Sequence, residues 1–212
     1  MKAMQFVLCV VLIVVPAGMA SAAGLEKGSN LFAVQLTEGV ADLVGPEADG
    51  FVSAYDHSEL GGQVQFWHLL SDEYAFNLSG GIGFFSETDK PGTGAPGADD
   101  FKYTQSSWSA RVGGDRLAKL GGRMLLFAGP GLQIWSGKPK FESGSTSTEG
   151  AQTLRIAAEG RIGLMMAWSD NVGLVCQLGH YIGYASSTED RGAKATWWPS
   201  GHDGAVGIAF KF

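Results

Sequence analysis

The sequence predicts an all-β fold, an eight-stranded antiparallel up-and-down transmembrane β-barrel. Three observations point there. Apolar and polar residues alternate with period two in eight segments of barrel-strand length. The connections between those segments are alternately long and short. The composition, with 32 glycines, 17% charged and 11% aromatic residues, fits neither a disordered chain nor a helical one. Glycine is a poor helix former, yet it suits curved strands and crowded barrel interiors.

The N-terminal segment carries a pattern of its own. Met1-Lys2 is a short basic start, residues 6–16 are a nearly unbroken apolar run, and Ala20-Ser21-Ala22 has the small-x-small form of a signal-peptidase site. Residues 1–22 therefore read as a secretory signal peptide and residues 23–212 as one barrel domain. The apolar run is too short for a spanning helix, which needs roughly 17–25 residues. Cys9 lies inside that run and not at its end, which argues against a lipidation site. Loss of residues 1–22 leaves Cys176 as the one cysteine, so the barrel domain forms no internal disulfide. It also leaves 14 basic and 21 acidic side chains, a net charge of −7. That balance excludes nucleic acid as a partner, because phosphate binding needs a basic patch.

The predicted strands cover residues 29–37, 58–69, 74–85, 103–116, 123–135, 152–167, 172–185 and 203–212. Ser71-Asp72-Glu73, residues 118–122 and Ser169-Asp170-Asn171 read as short turns. Four long loops are centred on Asp49, Thr93, Ser145 and Ala193. Even-numbered positions collect the apolar set: Phe32, Val34 and Leu36, then Leu60, Val64 and Phe66, and so on through Leu78, Val112, Leu132, Ile162 and Leu178. Odd-numbered positions collect the polar set, including Gln35, Gln63, Gln65, Asn77, Gln133 and Gln177. Apolar outside and polar inside inverts the arrangement of a soluble barrel such as a lipocalin.

With this architecture the chain resembles the small eight-stranded bacterial outer-membrane barrels of the OmpA/OmpX-like class. The last strand adds to the resemblance. Val206, Ile208, Phe210 and Phe212 share its apolar face and match the terminal assembly signal of that class. The resemblance implies an outer-membrane location, both termini in the periplasm and long loops outside. Its implied partners are outer-membrane lipids and lipopolysaccharide, the barrel-assembly machinery, and a surface ligand reached through the external loops. A monomer is expected.

Seven charged residues fall on the inward phase: Glu59, Arg111, Asp115, Arg155, Glu159, Arg161 and Lys211. An eight-stranded interior is just wide enough for side chains to fill, so these read as a paired network plugging the lumen. His180 invites a second comparison, with the outer-membrane lipid A deacylases, which use a His and a Ser two positions later on a late strand. Ile182 stands in the serine's place, and isoleucine cannot attack an ester. A structural or interfacial role is expected for all four histidines, with His68 near a turn and His202 in the fourth loop. Glu38, Asp42, Glu47, Asp49 and Asp56 match no calcium-loop spacing and read as a solvated acidic loop. Trp168 and Tyr74 near the turns, and Phe84, Trp135 and Tyr184 near the loops, read as interfacial girdles. Trp197-Trp198 reads as packing on the barrel rim, with a membrane, glycan or protein contact as the alternative.

The expected function is a structural or surface adhesion and interaction role, without catalysis, cofactor or metal. A lipid A-modifying enzyme and a narrow pore are the alternatives.

Overall fold

The computed structural model describes residues 25–42, 56–89, 101–188 and 194–212; of residues 39–42, 56–59, 87–89 and 101 it describes the backbone alone. The predicted signal peptide, the loop centres at Asp49 and Thr93, and residues 189–193 of the fourth loop lie outside the described residues.

Ten strands follow one another: β1 Asn30–Asp42, β2 Asp56–Leu69, β3 Tyr74–Asp89, β4 Phe101–Lys119, β5 Met124–Ser143, β6 Thr146–Glu149, β7 Gln152–Ala167, β8 Val172–Thr188, β9 Lys194–Trp197 and β10 Ser200–Lys211. Eight of them form a ring in the order β1, β2, β3, β4, β5, β7, β8, β10. All neighbours are antiparallel. The ring closes where β10 pairs with β1, from Leu31 opposite Lys211 to Ala41 opposite Gly201. Closure removes the sheet edges, so every wall strand has a partner on both sides.

Three tight turns close one end. Leu70, Leu120 and Trp168 donate their amides to the carbonyls of Tyr74, Met124 and Val172 at 2.8–2.9 Å. Ser169 adds its hydroxyl oxygen as acceptor for the Val172 amide at 3.1 Å, the local side-chain bond that makes serine a turn residue.

The loop end departs from the sequence expectation. The loop centred on Ser145 is a β-hairpin: β5 runs on to Ser143 and returns as β6, with Gly144 at φ 56° in the turn. That left-handed conformation is open to glycine at little cost. β9 pairs with the far end of β8, from Ala185 opposite Trp197 to Thr188 opposite Lys194. β10 starts at Ser200, three residues before the predicted boundary, so His202 belongs to a wall strand and not to the fourth loop. Glu38 and Asp42 likewise lie in β1, and Asp56 in β2.

The parity rule holds around the ring. Even-numbered apolar side chains stand on the outer wall, where Ile82 is 73% exposed, Leu60 65% and Leu132 60%. Cys176 is on this wall, half-buried. Leaving so many large apolar side chains in water would forfeit roughly 25 cal/mol for each Å². A wall of this kind matches hydrocarbon instead. In the middle of β5, Pro130 has no N–H to give, and the β4–β5 ladder is interrupted between Gly113 opposite Gly131 and Arg116 opposite Ala128.

Leu132→Arg tests this orientation. A guanidinium on the lipid face near mid-height costs about 2–4 kcal/mol. Urea unfolding of the protein refolded into vesicles should show that loss, while Leu132→Phe stays near wild type. Equal stability of the arginine variant would contradict an outward Leu132.

Candidate functional site

Within the ring the inward side chains form layers, and the layer nearest the turns is apolar. Leu31, Trp67, Leu69, Leu117, Leu125, Phe127, Met165 and Val175 pack there with Ala33, Ala75 and Ala209, and Leu25 covers them from the chain preceding β1. Trp67 and Phe127 meet edge to face, centroids 5.7 Å apart and rings at 70°. These residues are odd-numbered like the polar set. The sequence reading recognised the polar members of this phase and missed its apolar half.

The next layer is polar, and Asp115 sits at its centre. Trp67 Nε1 and Asn77 Nδ2 each donate to Asp115 Oδ2 at 3.0 Å. Arg161 Nε donates to Oδ1 at 3.1 Å, and its Nη2 makes an ion pair with Oδ2. The guanidinium of Arg161 also lies over the rings of Phe127 and Trp67, at 5.4 and 5.7 Å from their centroids. One cation therefore joins the apolar layer to the polar one. Arg111 Nε pairs with Glu159 Oε2 at 2.8 Å, and Arg111 Nη1 bonds Asn77 Oδ1. Gln63 Nε2 donates to Gln35 Oε1 at 2.8 Å. Gly131 makes room for Arg111: a Cβ there would lie 2.6 Å from the guanidinium carbon.

Toward the loops, Arg155 lies between two aromatic rings, 3.9 Å from the centroid of Tyr181 and 5.2 Å from that of Trp135. Its Nη2 donates to Gln133 Oε1 at 2.9 Å. Trp135 is therefore an inward, buried residue and not part of the interfacial girdle predicted for it; its odd number places it with Gln133 and not with Ile134. Tyr74, Phe84, Trp168 and Tyr184 do stand on the outer wall. Trp198 is exposed and meets Tyr184 edge to face at 5.8 Å, a rim contact. Between the polar layer and the Trp135–Arg155–Tyr181 stack lies a cleft of about 80 Å³, bordered by Arg111, Glu159, Gln177, Asp203, Ser107 and Ser109.

Of the seven predicted network residues, Arg111, Asp115, Arg155, Glu159 and Arg161 meet in these layers. Lys211 sits at the turn end beside Leu25, Leu31 and Arg123. The side chain of Glu59 lies outside the described residues. Asp203 is a member the sequence reading missed, because its strand was started at that residue. With it, three arginines face three carboxylates.

The outer wall carries the histidine singled out by sequence. His180 Nδ1 is 3.2 Å from Nδ1 of His202, its register partner. Ile182 has Ser200 opposite it on β10. His68 Nδ1 bonds Asn30 Oδ1 at 2.8 Å near the turns. Among the described residues no group of three His, Cys, Asp or Glu side chains is placed to hold a metal ion.

Known structures share this architecture. Ail, the attachment invasion locus protein of Yersinia pestis, aligns over 88% of this chain and 99% of its own, with 12% identity and a TM-score of 0.50. OprG, an outer-membrane protein of Pseudomonas aeruginosa, aligns over 91% and 99%, with 12% identity and a TM-score of 0.51. The outer-membrane protein AlkL aligns over 92% and 95%, with 14% identity and a TM-score of 0.51. No protein-family model matches the chain, and no curated protein matches it.

Asp115→Ala should destabilise the barrel by about 3–5 kcal/mol, because it leaves the Arg161 charge buried without its partner. Adding Arg161→Met should recover much of that loss. Urea unfolding of both single variants and the double variant in vesicles measures the coupling, and simple additivity would contradict the network. The layered interior, the apolar outer wall and the structural matches agree: the chain has the fold of the small eight-stranded bacterial outer-membrane β-barrels.

Proposed function

We propose that this protein is an integral outer-membrane barrel that does not conduct and does not catalyse, and that presents its loop end as an interaction surface. The observation that carries this reading is the filled lumen. The apolar layer from Leu31 to Val175 packs across the turn end, and paired charges stand above it, which supports a closed lumen. A pore reading would need that layer to part.

The loop end supports the interaction role. β5 and β6 extend the wall as a hairpin beyond the apolar band, and β6, Thr146-Ser147-Thr148-Glu149, has one edge without a strand partner among the described residues. Such an edge is a template for strand addition. The hairpin charges are matched locally: Lys138 pairs with Glu149, and Lys140 with Glu142 at 2.5 Å. Those lysine hydrogen bonds hold both carboxyl groups below their ordinary range. Hydroxyl and backbone groups are therefore what the hairpin offers a ligand. Ail, with the same fold, has been crystallised with the heparin analogue sucrose octasulfate.

Ester hydrolysis needs a nucleophile within reach of a base. His180 is bonded to His202 instead, and Ile182 follows it two residues on. In this reading residues 1–22 direct export, the termini are periplasmic, and Val206, Ile208, Phe210 and Phe212 guide assembly. The Phe212 ring stands 6.4 Å from that of Phe66 on the outer wall.

Planar-bilayer recording should give no steady ionic current for the refolded protein, and a Trp67→Ala, Phe127→Ala variant should leak. A stable open conductance of the wild type would contradict the plugged lumen. Phe212→Asp should lower the yield of heat-modifiable folded barrel in the outer membrane while export continues. Normal yield would remove the assembly role from that strand.

A further inference from the structure

Two histidines stand on the outer wall where the alternation elsewhere places apolar side chains. His180 in β8 and His202 in β10 face each other directly across the ladder, both exposed, with ring centroids 4.6 Å apart and a tilt of 46°. The two Nδ1 atoms share a single hydrogen bond, which uses one proton and one lone pair and brings both nitrogens to within reach of one ion that displaced that proton. Ten residues separate His202 from Phe212. At about 3.3 Å per residue and a strand tilt of about 40°, that is a climb of about 25 Å up the wall. On β8 the apolar outer wall continues beyond the pair through Ile182 and Tyr184, and on β7 through Ile156 and Leu154. The Tyr184–Trp198 contact lies on the same side of the barrel, farther along β8.

The wall beside the pair is bare. Gly160 is the partner of His180 on the β7 side, and a Cβ there would meet nothing within 4 Å. A shallow groove runs from Gly129 and Gly160 past Leu178 to the two rings. On the other side, Glu38 of β1 is opposite Gly204, two residues along β10 from His202 and on the same outward phase.

We propose that His180 and His202 chelate one borderline transition-metal ion, with Zn²⁺ and Cu²⁺ as the fitting class. Imidazole nitrogen suits these ions. With the Nδ1 atoms 3.2 Å apart and metal–nitrogen bonds of about 2.05 Å, the angle at the metal is about 100°, between square-planar and tetrahedral values. The bare groove leaves the remaining coordination positions open, and Glu38 stands on the same outward phase beside Gly204. Bound metal ties β8 to β10 beside the seam where β10 closes on β1.

The test uses untagged protein refolded in micelles. Zn²⁺ is titrated by calorimetry, and Cu²⁺ is followed by electron paramagnetic resonance. One ion should bind per chain, with the Cu²⁺ spectrum showing two equatorial nitrogens. H180F and H202F should each weaken binding by about tenfold or more, and H68F should leave it unchanged. Heat-modifiable migration verifies that each variant is folded, and H180Q and H202Q repeat the comparison if the phenylalanines disturb assembly. Absence of saturable binding below millimolar metal, an all-oxygen Cu²⁺ spectrum, or unchanged affinity in the folded variants would overturn the proposal.

Discussion

A wall standing in hydrocarbon has no water with which to satisfy its amides, and the rest of this structure depends on that constraint. It is met by closure. β10 pairs with β8 on one side and with β1 on the other, so the sheet has no edge within the ring. Closure also locks the parity of the strands. A one-residue slip at the seam would exchange the two faces of β1 and set Gln35 in lipid and Leu36 in the lumen.

Fixed parity divides the inward residues by height. Apolar side chains near the turns build a dry floor, and Arg161 rests on that floor through Trp67 and Phe127 while holding Asp115. Charges so far from water are tolerable only when paired, and the arrangement supplies a carboxylate for each arginine of the central layer. Near the loops the same phase holds Arg155 between Trp135 and Tyr181. A barrel filled in this way is a rigid mount. What varies above it is the length of the strands, and β5 with β6 shows how a wall strand becomes a surface hairpin.

The fold was legible because the signal that encodes it, period-two alternation with short turns, is local and survives without any tertiary information. Its failures have local causes too. Met124-Leu125-Leu126-Phe127 and Leu164-Met165-Met166 are apolar at every position, so alternation is invisible there and the inward floor residues pass unnoticed. Trp135 was misplaced because tryptophan near a strand end fits an interfacial girdle as well as a lumen wall; its odd number was the better guide. His202 was assigned to a loop, and Asp203 to the very start of a strand, because Trp197-Trp198-Pro199-Ser200-Gly201 reads as irregular chain, although β10 begins at Ser200. Pairings such as Asp115 with Arg161 join residues 46 positions apart. Spacing along the sequence carries no trace of them beyond a shared phase.

The central claim is that neighbouring residues of one strand face different media, and the methyl groups of Leu125 and Leu126 test it most directly. In lipid nanodiscs, nuclear magnetic resonance can compare broadening by a lipid-embedded nitroxide with broadening by a water-soluble gadolinium chelate. Leu126 should broaden with the lipid probe alone, while Leu125 should be protected from both. Broadening of Leu125 by the aqueous probe, or of Leu125 and Leu126 equally by the lipid probe, would contradict the account.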